Sequence, residues 1–313
     1  MLKNRLACID LGSNDCRLRI AESDGTILYF DSKSTKLAEG LSSSGRLSQA
    51  SFERGLKAFE EFSDWFKSYH VTSYRAVTTA ACRTAVNGQD FVNMIKQKTG
   101  ISLEIIDAGE EARLNAKGAI KNAPPDKEYA VIYDLGGAST EISLICNDDT
   151  AKILETISIP LGARNATEQY DIEEFDAQKA AQLSQDIASQ VQQFIQKSCL
   201  PQYKDKCCLV ATSSTPLRLC AMVREDETYG RERYDGMHIL CQDFDRVISK
   251  IFNMPLEKRI NLSCLTQDRA KIFVAACVIF QTIYQNLGFD EMIVSFKGAQ
   301  DAMIEELAHA QND

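Results

Sequence analysis

The chain repeats its own opening. An apolar strand ending in Asp-Leu-Gly occupies residues 6–12 and returns at residues 130–136, each time followed by a small-residue turn and a second apolar strand. Asp10 pairs with Asp134, Gly12 with Gly136, Asp24 with Asp148 and Thr26 with Thr150, all at one offset of 124 residues. Residues 16–20 alternate Cys16, Leu18 and Ile20 with Arg17 and Arg19, the period of a half-buried strand. Helical spacing separates the two copies: Phe52, Leu56, Phe59, Phe62 and Phe66 recur behind Ser48, a candidate N-cap. Further strands are expected near residues 74–77 and 103–106, a helix after Asn87-Gly88, and another over residues 109–119. Strands recurring between helices indicate an α/β protein, and two similar lobes facing each other across a cleft are the expectation.

The prolines of Ala123-Pro124-Pro125-Asp126 cannot continue a helix, so the boundary is expected there, giving domains 1–124 and 125–313. Beyond it, Ile172, Phe175, Leu183, Ile187, Val191 and Phe194 predict a helix over residues 172–195, and Ile272 to Leu287 predict another. The last helix is expected to pack back on the first domain.

With 313 residues, 44% of them hydrophobic, the chain can bury two cores. The net charge of −9 argues against nucleic-acid and membrane-surface partners, but it is unevenly spread. Residues 1–124 carry 17 basic against 15 acidic side chains, and the remainder carries 18 against 29. The eleven cysteines are odd in number and show no C-x-x-C spacing, which predicts reduced, mostly buried thiols and no zinc site. No continuous apolar run approaches the ~18 residues of a membrane span, and no signal-type segment precedes Asp10. A soluble, cytoplasmic protein is the expectation.

Three histidines, none beside a nucleophile-like motif, exclude Ser-His hydrolases, and neither G-x-G-x-x-G nor a P-loop occurs. What remains are small, hydroxyl-rich turns at strand ends: Gly12-Ser13-Asn14, Gly136-Gly137-Ala138-Ser139-Thr140 and Thr212-Ser213-Ser214-Thr215. Small residues let backbone approach a ligand, and successive N–H groups with hydroxyls suit phosphate. Asp10, Asp134 and Glu141 stand beside these turns, where carboxylates would repel phosphate unless a divalent cation intervened, pointing to Mg²⁺. Glu110 and Glu111 open a predicted helix, where acids either complement the helix dipole or supply a general base. Arg83 and Arg17 are open between solvated charge and phosphate ligand.

At these residues the chain resembles one family. IDLGSN (9–14), TAACRTAVNG (79–88), EIIDAGEEARL (104–114), IYDLGGASTEI (132–142), IPLGA (159–163) and ATSST (211–215) follow the order and spacing of the exopolyphosphatase/guanosine pentaphosphate phosphohydrolase (Ppx/GppA) family. The resemblance covers nearly the whole chain and implies two actin-like, ribonuclease H-like domains in a short form without the helical C-terminal domains of longer members. It implies Mg²⁺-dependent (or other divalent cation-dependent) release of orthophosphate from terminal phosphoanhydrides of polyphosphate or pppGpp; a homodimer is the default expectation for a soluble enzyme. The family's roles then fall on Glu111 as base and on Asp10, Asp134 and Glu141 as metal-linked carboxylates. Its phosphate-binding positions fall on Gly12, Ser13, Asn14, Arg83, Gly136, Gly137, Ala138, Ser139 and Thr140; Arg17 and Ser213, beside these turns, join them as candidates from the residue pattern. Ala138 and Ser214 stand where the family has glycine, and Gln300 where it has arginine. Those departures leave a non-catalytic (p)ppGpp-binding sensor as the alternative; a kinase or ATPase of the same superfamily is disfavoured.

Overall fold

The computed structural model describes residues 4–148 and 150–310. They form two compact units. Unit 1 takes the described chain up to Leu114 together with everything from Ala299 onward, and unit 2 is Asn115–Gly298. The chain therefore passes between units inside a helix and again at Gly298, whereas the proline pair at 124–125 lies within unit 2.

Unit 1 is built on strands β1 (Arg5–Leu11), β2 (Asp15–Glu22), β3 (Ile27–Ser34), β4 (Ser73–Thr78) and β5 (Glu104–Ile105), ordered β3-β2-β1-β4-β5. The first three pair antiparallel, and β4 and β5 join in parallel. Its helices are α1 (Leu41–Ser44), α2 (Gln49–Ser68), α3 (Ala80–Thr84), α4 (Gly88–Thr99), the first turns of α5 (Ala108–Ala119) and, from the far end of the chain, the last helix. Ser48 caps α2 as expected, its hydroxyl accepting from the Ser51 amide, and Phe59 and Phe62 are buried. The strand expected at 103–106 is reduced to two residues.

Unit 2 repeats the plan with β6 (Tyr129–Leu135), β7 (Thr140–Cys146), β8 (Ile153–Ile159) and β9 (Cys207–Thr212), and adds β10 (Met237–Leu240) and β11 (Glu291–Val294). The order is β10-β11-β9-β6-β7-β8, with β6, β7 and β8 antiparallel and β9 and β11 parallel to β6. Its helices are α6 (Ala163–Tyr170), α7 (Ala177–Ser198), α8 (Ser214–Val223), α9 (Cys241–Phe252), α10 (Leu256–Arg259) and α11 (Gln267–Leu287); α12 (Ala299–His309) completes unit 1. Helix α7 starts later than the apolar spacing suggested, because Asp176 caps it by accepting from the Gln178 and Lys179 amides. Ile172 and Phe175 precede it, Phe175 stacking on Phe252.

The duplication reaches fine detail. Thr26 and Thr150 each donate their amide to the carboxylate two residues back, Asp24 and Asp148, at 2.9 Å. The β2–β3 ladder shifts register at Ile20/Ala21 and the β7–β8 ladder at Leu144/Ile145, the same repeat position. Strand alternation also matches. Leu6 and Cys8 join the core cluster with Ala302, Met303 and Ile304 of α12, and their repeat equivalents Ala130 and Ile132 join Ala116 and Ala119 of α5.

Helix α11 is long and apolar enough to cross a membrane by composition, although no continuous run suggested it; 78% of that stretch is buried in the protein. All eleven cysteines are free, nine of them buried, and burial pushes thiols such as Cys8 up to about 12.

Candidate functional site

Two turns carry most of the expected phosphate-binding residues. In unit 1 the Gly12 amide donates to the Asp15 carbonyl at 3.0 Å; in unit 2 the Gly136 amide donates to the Ser139 carbonyl at 3.0 Å. The chain behind each turn then ties down its carbonyls. Amides of Thr35 and Lys36 donate to the Asn14 carbonyl and that of Ala38 to Ser13, while Arg54 holds the Thr35 and Lys36 carbonyls. In unit 2 the start of α6 does the same work. Ala163 donates to the Gly136 carbonyl, Arg164 and Asn165 to Gly137, and the Asn165 side chain to Ala138.

This arrangement sets the direction of the remaining amides. The C=O and N–H of a trans peptide point opposite ways, so carbonyls drawn toward α6 turn the N–H groups of Gly137, Ala138 and Ser139 away from it. Three successive N–H groups facing one way make an anion cradle. Ala138 fits because its φ is not positive; positive-φ residues other than glycine lie elsewhere. Gly162 is required for contact: a Cβ there would lie 2.6 Å from the Ala138 nitrogen and 2.7 Å from the Gly136 oxygen.

The hydroxyls are less available than the sequence suggested. Thr140 is fully buried and donates to the Leu161 carbonyl at 2.7 Å; Ser213 donates to the Leu135 carbonyl at 2.9 Å. Ser213 also carries φ 82°, rare for a side-chain-bearing residue, as the chain enters α8. Ser214, in place of the family's glycine, opens α8 itself, so the left-handed value falls one residue earlier.

The carboxylates sit at equivalent ladder positions with different neighbours. Asp134 lies directly across β6–β7 from Glu141, and Asp10 across β1–β2 from Arg17. Side chains of directly opposed residues share a face. Glu141 is 3% exposed and accepts from the Ser158 hydroxyl at 2.9 Å. Asp134 accepts from the Asn115 side chain at 2.6 Å. Asp10 meets the Arg17 guanidinium at 3.6 Å; burial pushes its carboxyl above the usual range, Arg17 opposing. Among the described residues no group of three or more His, Cys, Asp or Glu side chains gathers as a metal cage.

Asp107 caps α5, its carboxylate accepting from the Glu110 amide, and Glu111 follows in the first turn. Glu111 is 8% exposed and accepts from Arg83 at 3.1 Å; the same Arg83 nitrogen donates to the Ile106 carbonyl at 2.9 Å. The structure thus brings Glu111 and Arg83 together within unit 1. Two other arginines of the basic half are committed to carboxylates: Arg19 to Asp301 at 2.6 Å, and Arg113 to Glu110 and Glu306. Sequence reasoning missed Asn115 and Gly162. Gly162 stood inside the IPLGA motif, but its contact with the turn is visible only in the fold.

Doubled sheets of one order, each with a small-residue turn after its first strand, define an actin-like α/β protein. The chain belongs to the Ppx/GppA phosphatase family, whose model matches residues 19–311. It is 24% identical over 303 residues to a bifunctional 3-dehydroquinate synthase/phosphatase of Fusobacterium nucleatum, covering 92% of this chain and 44% of that protein. It is 25% identical over 316 residues to a guanosine-5'-triphosphate,3'-diphosphate pyrophosphatase of Photobacterium profundum, covering 96% and 59%. The chain spans about half the length of these curated relatives. A solved exopolyphosphatase-like protein superposes with TM-score 0.91 at 20% identity, over 98% of this chain and 99% of that one, a likeness of fold.

Proposed function

We propose that this protein is a Mg²⁺-dependent phosphohydrolase that releases orthophosphate from a terminal phosphoanhydride of polyphosphate or pppGpp. The observation that carries the reading is the Asp134–Glu141 pair beside the cradle of residues 136–140. Like charges directly opposed on a ladder destabilise it, and a divalent cation would offset that repulsion. Mg²⁺ takes only one or two carboxylates and keeps several waters, which suits two side chains better than a full cage. Asp134 and Glu141 would hold the ion, which supplies neutralisation of charge on phosphoryl oxygens. Asp10 already faces a guanidinium, so it ranks behind that pair as a metal ligand.

The other roles rest on this chain's own groups. Gly12, Ser13 and Asn14 present one turn to phosphate, and Gly136 to Thr140 present the other. Glu111 serves as the base that takes a proton from the attacking water. Arg83, now bonded to Glu111, turns to the phosphate when substrate arrives. Arg17 balances negative charge beside the first turn. The relatives' names and the family support this class of reaction, and the departures at Ser214 and Gln300 keep a (p)ppGpp-binding sensor as the contrasting outcome.

Purified protein incubated with Mg²⁺ and polyphosphate, pppGpp or ATP decides between them by phosphate release. Glu111→Gln should lower release about a hundred- to ten-thousand-fold. No release from any substrate, together with tight ppGpp binding by calorimetry, would replace the enzyme with the sensor.

A further inference from the structure

Beyond the expected site residues, unit 1 contains a closed ring of ion pairs built from three distant stretches of chain. Arg113 grips Glu110 through Nε at 2.6 Å and Nη2 at 2.8 Å, and grips Glu306 of α12 through Nη1 at 2.6 Å and Nη2 at 3.2 Å. Arg75 of β4 closes the ring, reaching Glu110 at 2.7 Å and Glu306 at 3.2 Å, with Glu104 at 3.4 Å on its outer side. Each guanidinium thus bonds both inner carboxylates. Two of the contacts are planar forks, the arginine–carboxylate geometry that most restricts orientation.

Isolated surface pairs contribute little stability, but a bidentate network of partly buried groups fixes geometry. Arg75, Glu110 and Glu306 are 23%, 26% and 27% exposed, so the ring is neither dry nor freely solvated. The hydrogen bond from Arg113 holds the Glu110 carboxyl down to about 2 against the effect of burial, with Arg75 assisting. Glu110 is therefore charged throughout the neutral range.

Its location gives it a task. Glu110 and Arg113 flank Glu111 in the first turns of α5, and Glu111 projects about 100° round the helix from Glu110, toward Arg83. Holding 110 and 113 fixes the rotation of that turn about its axis. The partner that closes the ring comes from the last helix, 193 residues away in sequence. We propose that Glu306 is a positioning residue, holding through Arg113 and Arg75 the turn of α5 that aims Glu111 at the attacking water. This rests on the reading of Glu111 as the base.

The test compares Glu306→Gln, Glu306→Asp and the Glu111→Gln control in full-length protein, with circular dichroism confirming the fold. A shift of even 1 Å at a reacting group can be costly, so Glu306→Gln should lower kcat about tenfold with KM within about twofold. Glu306→Asp, which keeps the charge, should recover most of the loss. Amide exchange over residues 110–114, read without substrate, should quicken in Glu306→Gln and not in Glu306→Asp. Unchanged kcat and unchanged exchange in Glu306→Gln, beside an inactive Glu111→Gln, would overturn the positioning role and leave the base reading standing. Full activity in Glu111→Gln would remove the base reading itself, and the proposed role for Glu306 with it.

Discussion

The turn after β1 and the turn after β6 share a backbone but not a charge. Both close through an amide-to-carbonyl bond of 3.0 Å, and both have their carbonyls pulled back by a following segment. Across the ladder, however, Asp10 faces Arg17 and Asp134 faces Glu141. One copy pairs its acid with a basic side chain, while the other sets two acids opposite each other. Duplication thus yields two turns of one backbone geometry with different charged neighbours.

The largest effect should come from erasing the difference. Glu141→Arg would give unit 2 the pairing of unit 1, and phosphate release should fall about a thousandfold and cease to respond to Mg²⁺. Metal titration of initial rates reads this; a variant still activated by Mg²⁺ would place the ion elsewhere. A smaller effect is expected from Asn115→Ala, which removes the 2.6 Å bond orienting Asp134. Loss of such an orienting partner should weaken apparent Mg²⁺ affinity about ten- to a hundredfold, with the rate recovering at saturating metal.

The support beneath the turns offers a sharper contrast. A Cβ at Gly162 would strike the backbone of residues 136–138, whereas one at Gly12 would meet only the Asp15 oxygen at an ordinary 3.5 Å. Gly162→Ala should cost about 1–3 kcal/mol in denaturant unfolding, and Gly12→Ala well under 1 kcal/mol. Equal losses would mean that the backbone of residues 136–138 gives way to a Cβ at Gly162.

The smallest effect concerns pH. Burial raises the Asp10 carboxyl above 3.8, so ionising it in the folded protein costs more than in the unfolded chain, and stability falls as pH rises through the raised value. Asp10→Asn should therefore melt higher than the parent at pH 7, with the gap closing as pH drops toward 4. A constant gap across that range would show that desolvation of the acid is not its cause.

Much of this was legible before any coordinates. The 124-residue offset, the Asp24 and Asp148 turns and the Ser48 cap depend on neighbours in sequence, so local rules reach them. Glu110 and Glu111 draw attention as acids at a helix start, and the family resemblance singles out Glu111 as the candidate base. Asn115 was not, since an amide in mid-helix has no meaning until β6 brings Asp134 to it. Gly162 looked like one more glycine, for the constraint comes from the backbone of another strand pair. The break between units escaped notice for a related reason. Ala123-Pro124-Pro125 is a strong local signal, but the chain changes unit within α5, whose hydrogen bonds continue unbroken across the change.

The split composition of unit 1 has a consequence for how the protein is made. Its first 114 residues leave the ribosome long before α12, and Leu6, Cys8, Val77 and Leu114 are covered by Ala302, Met303 and Ile304 only after Gly298 has been synthesised. At ribosomal elongation rates that interval is roughly ten to forty seconds. Unit 2, one continuous stretch, receives its interior strand β11 only just before α12 is made. The nascent chain therefore carries an uncovered apolar sheet face through the whole synthesis of unit 2, and a premature stop near residue 298 yields a chain that lacks the helix covering it.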